Sequence, residues 1–367
     1  MSWFTVRHGD LVAATWASSG VTQAIFAFSG FDKTVSDAVG PDCTAALKAV
    51  TAAFESAWDT DDARLRLLAL FNATYAGLTK EDMAWMLSDS AGMAPQYGAK
   101  KQLCAFLNST ARDTPSSPAP PNGGNFLTGW AALEAFASWT SYRYGKNFGS
   151  SCYYSTACLA SQANASSWSD TTTWVLQCCN EVAFWNIPAS DEASRTRSKL
   201  LTTDYFMSQC RAVYGAAVFP DTTAFNQRFG GATPFVGSHP VVATQGSDDP
   251  WQSAGVQSSI SATYLEFTAT CAGCSHCRDL SGTNNATDPP ALTAVRQAAL
   301  ASMRSWMTAA PAAAAAAPSP LSGGAVAGIS VGAVLAFALA AAGLALAARR
   351  RRAGADGADK RSLLAGA

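Results

Sequence analysis

Four side chains able to bind metal, form disulfides or move a proton fall within seven positions: Cys271, Cys274, His276 and Cys277, in TATCAGCSHCRDLSG. Three chemistries fit those residue types. A structural zinc site needs four ligands in tetrahedral reach, but its usual form is two separated pairs that clamp a loop. A disulfide-rich loop could carry His276 incidentally. In the third, His276 is the working acid or base and the cysteines brace it. A partner for that chemistry stands upstream in TQGSDDPWQSAGV, where Asp249 follows one expected strand as His276 follows the next. An acid and then a base, each just past a strand end, is the chain order of a nucleophile–acid–base triad on an α/β sheet. The acid would hold the imidazole in one tautomer and stabilise its charged form. Asp-Pro-Trp after a strand stiffens that turn, and Trp251 would present an aromatic wall.

The elements that must position these residues are readable in outline. DLVAATWASSGV reads as a short buried strand ending in a Ser-Ser-Gly turn. PDCTAALKAVTAAFESAW has apolar residues at helical spacing, and ARLRLLALFNATYAGLTKEDMAWML reads as two helices joined by a turn. DTPSSPAPPNGGN is a proline- and glycine-rich loop, FLTGWAALEAFASWTSYRYG resumes helix, and SSCYYSTACLASQANASSWSD is loop-like. HPVVATQGSDDPW and SATYLEFTATC read as strands flanking QSAGVQSSI, which suits a helix or a loop. PPALTAVRQAALASMRSWM is a helix with Pro at its start. A mostly helical middle followed by alternating strands and helices suits an α/β domain with a large helical insertion.

Composition bounds the rest. The 367 residues suffice for one large domain or two medium ones, and a net charge of -1 offers no basic patch for nucleic acid. Residues 323–348, within GGAVAGISVGAVLAFALAAAGLALAARRRR, carry no charge and are long enough for a transmembrane helix. The following Arg349–Arg352 places the tail in the cytoplasm and all that precedes it on the lumenal or extracellular side, a single-pass type I membrane protein. Gly324, Gly328 and Gly332 form a small-residue ridge that would suit a homodimer. All ten cysteines precede this segment, as do sequons at Asn72, Asn108, Asn164 and Asn285, so an oxidising compartment and N-glycans are expected. The opening MSWFTVRHGDLVAATW has no apolar core of a signal peptide.

The residues around these sites resemble one family. GSDDPWQSAGV is similar to an Asn-Gly-x-x-Asp-Pro-Trp acid loop, and SHCRDL to an Ala/Ser-His-His/Cys-x-Asp-Leu/Met histidine loop. WVLQCCNEVAFW resembles Trp-x-Tyr-Gln-x-Cys-x-Glu, matching Gln177, Cys179 and Glu181. FNQRFGG, MAPQYGAKKQLC and SWFTVRHGDLVAATWASSGV also have counterparts, in the same order. The family is that of the serine peptidases that include lysosomal Pro-X carboxypeptidase, dipeptidyl peptidase II and thymus-specific serine protease. The resemblance implies an α/β-hydrolase fold with a helical cap, Asp249 as acid, His276 as base, and Trp251 in a pocket for proline. The Asp-Pro-Trp match selects Asp249 over Asp248. Glu181 is placed with the substrate pocket, without a defined role. His8 stands where the family has Tyr and reads as a surface residue, while His239 precedes a strand. No metal or other cofactor is implied.

The family's nucleophile lies in Gly-Gly-Ser-Tyr-x-Gly shortly before the residues that match Trp3 and Phe4, and that motif does not occur in the sequence, whose one Gly-x-Ser-x-Gly is GISVG over 328–332, inside the expected membrane helix. The chain is therefore expected to be an N-terminally truncated hydrolase. Its expected parts are a core remnant over 1–35, a helical cap over 36–200 and the acid- and base-bearing core over 201–307. An Ala/Pro linker over 308–322, the membrane helix 323–348 and a cytoplasmic tail over 349–367 follow. The expected function is a membrane-anchored serine exopeptidase, a carboxypeptidase or a dipeptidyl peptidase acting on peptides with proline at the cleavage position. The setting is the lysosome, the vacuole or the cell surface. The alternative is a non-catalytic relative that binds a partner at the surface. Its truncated sheet would expose a strand edge, which is physically awkward.

Overall fold

The computed structural model describes residues 1–108, 126–163, 170–284 and 286–309. The expected linker beyond 309, membrane helix and tail lie outside the described residues, as do the sequons at Asn164 and Asn285 and the whole proline-rich loop. Among the described residues no helix is long and apolar enough to cross a membrane.

Three parallel strands, β1 (Thr15–Ser18), β4 (Val241–Gly246) and β5 (Tyr264–Ala269), form a sheet in the order β1-β4-β5, with the acid loop after β4 and the histidine loop after β5. Thr15 pairs with Val241 and Ser18 with Thr244, while Val241 pairs with Tyr264 and Gly246 with Ala269. The central strand VVATQG is buried at every position, which is why it reads as a β-branched run without alternation. Parallel strands deliver their C-terminal ends to one edge, where the loops that follow them meet. A second, smaller pair joins β2 (Ile25–Ala27) to β3 (Ala183–Trp185), again in parallel.

The helices are α1 (Ser2–His8), α2 (Ser29–Val39), α3 (Pro41–Trp58), α4 (Asp61–Leu70), α5 (Lys80–Gln96) and α6 (Lys100–Leu107). They continue with α7 (Gly129–Tyr144), α8 (Thr156–Ala163), α9 (Asp170–Gln177), α10 (Thr203–Tyr214), α11 (Thr222–Phe229) and α12 (Pro290–Ala309). Helix α3 starts at Pro41 behind Gly40, whose φ of 82° suits glycine, and buries Cys43, Leu47, Val50 and Phe54 on one face. Helix α5 opens with a capping box between Thr79 and Asp82. The same Asp82 accepts from Thr156 at 2.7 Å and Tyr205 at 2.8 Å, tying α5 to α8 and α10. The large apolar core runs from Ala24 to Cys210 and takes in Ala254 beside the acid loop. By packing, β2, α2 and α10 therefore belong with the helical layer, beyond the 36–200 drawn from the sequence.

Four disulfides are formed among the described residues: Cys43–Cys104, Cys152–Cys158, Cys179–Cys210 and Cys271–Cys274. The Cys- and Ser-rich stretch expected as loop contains helix α8, which packs on α10 and is tied at its start by Cys152–Cys158.

Candidate active site

Strand β4 ends in a turn that brings Asp249 back under it. The Asp249 amide donates to the Gly246 carbonyl at 3.0 Å, and the Trp251 amide donates to Asp249 Oδ1 at 3.0 Å. Asp249 is fully buried, and its free oxygen Oδ2 lies 2.8 Å from Nδ1 of His276. A carboxylate only accepts, so Nδ1 carries the proton and Nε2 is the nitrogen left to exchange one with a substrate group. Burial opposes charging the ring, but the Asp249 hydrogen bond and the Cys277 sulfur as a second acceptor prevail and push the His276 pKa up to about 10. The same contact with the ring holds the Cys277 thiol below its ordinary value.

The loop that presents His276 is fastened on two sides. Its backbone amide donates to the Gln96 carbonyl at the end of α5 at 2.9 Å, and the Cys277 amide donates to Ser19 Oγ at 2.8 Å. The Cys271–Cys274 disulfide closes the preceding turn, so two of the four clustered side chains are bonded to each other. Among the described residues no group of three or more His, Cys, Asp or Glu is arranged to hold a metal. Cys178 and Cys277 carry free thiols. Asp248, set aside as the acid, has its own task. It pairs with Lys100 at 2.7 Å and accepts from the Gly273 amide at 2.6 Å, linking α6 to both loops.

His276 opens onto a cavity of about 590 Å³ whose wall includes Trp251, Phe31, Phe184, Trp174 and Asp89. Phe184 meets Trp251 edge-on at 5.2 Å and Phe31 does so at 5.4 Å. Sequence reasoning missed Phe184. It follows a π-helical turn over Cys178–Val182, and both Ala183 and Phe184 hold left-handed backbone, with φ of 57° and 58°. Non-glycine residues held so store strain, which here aims an aromatic ring at the cavity. A short apolar AFW shows none of this in sequence. The same turn corrects the placement of Glu181, which is exposed and does not line the cavity. Asn72 is exposed whereas Asn108 is fully buried, so Asn72 is the better placed glycan acceptor of the two. His8 is exposed, and His239 lies against Gly9 before β4.

Comparison with known proteins fits this geometry. The model of the serine carboxypeptidase S28 family matches residues 1–299. The chain belongs to that family. An Arabidopsis thaliana protein named as a serine protease is 24% identical over 319 residues, 84% of this chain and 60% of its own length. A Caenorhabditis elegans protein, also named as a serine protease, is 22% identical over 339 residues, 84% of this chain and 62% of its own. The chain thus spans about three fifths of the length of these curated relatives. Family membership carries an α/β-hydrolase-like fold, and the sheet described above supplies the parallel strand ends of such a fold.

Proposed function

We propose that this S28 chain carries the acid and base of a serine-type exopeptidase that cleaves beside proline. The observation that carries the reading is the Asp249–His276 pair at 2.8 Å, with the ring on the wall of an aromatic cavity. His276 would accept the nucleophile's proton as the serine attacks the carbonyl, then return it to the leaving amine while Asp249 steadies the charged ring. Flat, rigid aromatic faces suit a proline ring, which has no amide hydrogen and little entropy to lose. Trp251→Leu should therefore reduce the preference for prolyl over alanyl substrates about tenfold, a loss of pocket contacts comparable to a methylene or two. Ratios of kcat/KM for the two substrates measure it, and an unchanged ratio removes Trp251 from the pocket.

Asp89 supports recognition of the substrate's amino end. Among the cavity residues described, it is the one carboxylate, and Arg197 stands behind it at 3.3 Å with a nearly fully buried side chain. A free α-ammonium could add to Asp89, whereas a C-terminal carboxylate would meet its charge. This favours a dipeptidyl-peptidase type of cleavage over a carboxypeptidase type. Asp89→Asn should raise KM about tenfold for a free-amine Gly-Pro anilide and leave an N-blocked substrate unaffected. Equal losses on both substrates would point to a general structural effect instead.

The test of the whole reading is hydrolysis by the natively expressed protein of Gly-Pro anilide against an N-blocked peptide ending in Pro-Phe. Cleavage of either supports an exopeptidase and identifies the end it reads. Binding of both without cleavage favours the non-catalytic surface protein. The four disulfides support an oxidising, lumenal or extracellular setting, and we place the anchor at 323–348.

A further inference from the structure

Three residues past His276 the chain places Asp279, whose carboxylate collects donors from the ends of two strands. Ser18 Oγ of β1 donates to Oδ1 at 2.5 Å, and Thr244 Oγ1 of β4 donates to Oδ2 at 2.7 Å. The Trp16 indole divides its N–H between Asp279 Oδ2 at 3.2 Å and Thr244 Oγ1 at 3.0 Å. Ser18 and Thr244 are register partners, so one side chain bridges the β1–β4 seam at its C-terminal end. From the opposite side the buried Arg296 of α12 grips the backbone of the same turn. Its Nε donates to the Asp279 carbonyl at 2.8 Å, and its terminal nitrogen reaches the carbonyls of Arg278 at 2.8 Å and Ser281 at 3.0 Å. Between this grip and His276 sits Cys277, a non-glycine residue with φ of 52°, a conformation the chain keeps only where its surroundings hold it.

We propose that Asp279 is a positioning residue, which locks the histidine loop onto the strand ends and so sets the His276–Asp249 contact. The inference rests on reading His276 as the working base. Asp249 is placed by β4 and its own turn, so the two halves of the pair come from separate loops. Asp279 ties the histidine loop to the strand that carries the acid. Loss of the tie lets the ring drift from a fixed carboxylate, and misplacement of about 1 Å is enough to cost a large factor in rate.

The test uses the full chain with Thr244→Val, Thr244→Ser and Asp279→Asn, read by NMR of the His276 ring and by hydrolysis where hydrolysis occurs. Thr244→Val leaves every charge in place, so a purely electrostatic role for Asp279 predicts no fall in the His276 pKa. Positioning predicts a fall, by about one unit, with a weakened low-field Nδ1–H signal and kcat lower by about tenfold at unchanged KM. Thr244→Ser, which restores the hydroxyl, should return all three to wild-type values. If Asp279→Asn does not fold, the two threonine variants carry the test. A folded Thr244→Val protein with wild-type His276 pKa and signal overturns the proposal. Should the wild type hydrolyse nothing while the ring responds as described, positioning stands and the peptidase reading falls.

Discussion

Asp249→Asn should lower the His276 pKa from about 10 toward the ordinary imidazole value near 6.5. It should also reduce peptide hydrolysis on the order of 10⁴-fold, the scale seen when a triad acid is replaced by its amide. Asparagine removes the negative charge that favours imidazolium and can present an N–H that favours the wrong tautomer. In the wild type the ring is charged below about pH 10 and neutral above it, and only the neutral ring can act as base. Hydrolysis limited by this group should therefore climb toward alkaline pH, and the variant's weaker rise should come at lower pH. The stability sign follows from the same shift. A histidine pKa raised by folding contributes stability that is full below about 6.5 and is lost as pH rises through the folded value. The stability gap between wild type and variant should thus be wide near pH 6 and narrow near pH 10. Titration of the three histidines by NMR, with urea unfolding at both pH values, measures each part. A wild-type His276 titrating near 6.5 would sink the argument.

The second large effect is expected at Gly246, the last residue of β4. A Cβ there would lie 2.4 Å from the Cys274 carbonyl oxygen and 2.9 Å from that of Ser275. Both are backbone atoms of the histidine loop, which cannot rotate aside as a long side chain would. Gly246→Ala must therefore push the loop that carries His276 away from the strand that leads to Asp249. Overpacking of this kind destabilises by roughly 1–3 kcal/mol. Denaturant midpoints should show the loss, and the Nδ1–H signal of His276 should weaken with it. Gly282→Ala is the control, because nothing lies within 4 Å of its Cβ and its backbone is not left-handed. Equal stability for the two variants, with the His276 signal intact in both, would show that the loop has room to yield.

The site was legible where local chemistry and spacing coincide. Asp249 and His276 each follow a short run rich in β-branched and aromatic residues that ends in turn residues, and the structure places those runs as adjacent parallel strands. Helices α3, α5, α7 and α12 lie where periodicity and start signals put them. Strands β2 and β3 have three residues each, too few for a period to register. Helix α8 was hidden by its serine and cysteine content, since its stability comes from α10 and a disulfide rather than from propensity. Glu181 was misplaced because neighbouring in sequence is no guide to direction across a π-helical turn.

By itself the sequence singled out Asp249 and His276, each just past an expected strand, and the family motifs around them. These depend on residue identity and on separations of a few positions. Only the tertiary structure decided which cysteines pair, that Asp248 is paired with Lys100, and that Phe184 and Asp89 share a cavity with Trp251. The Cys43–Cys104 and Cys179–Cys210 bonds, the Lys100–Asp248 pair and the shared cavity each join segments far apart in the chain. Such contacts are set by how the helices pack over the sheet edge, a property of the whole core that no local stretch encodes.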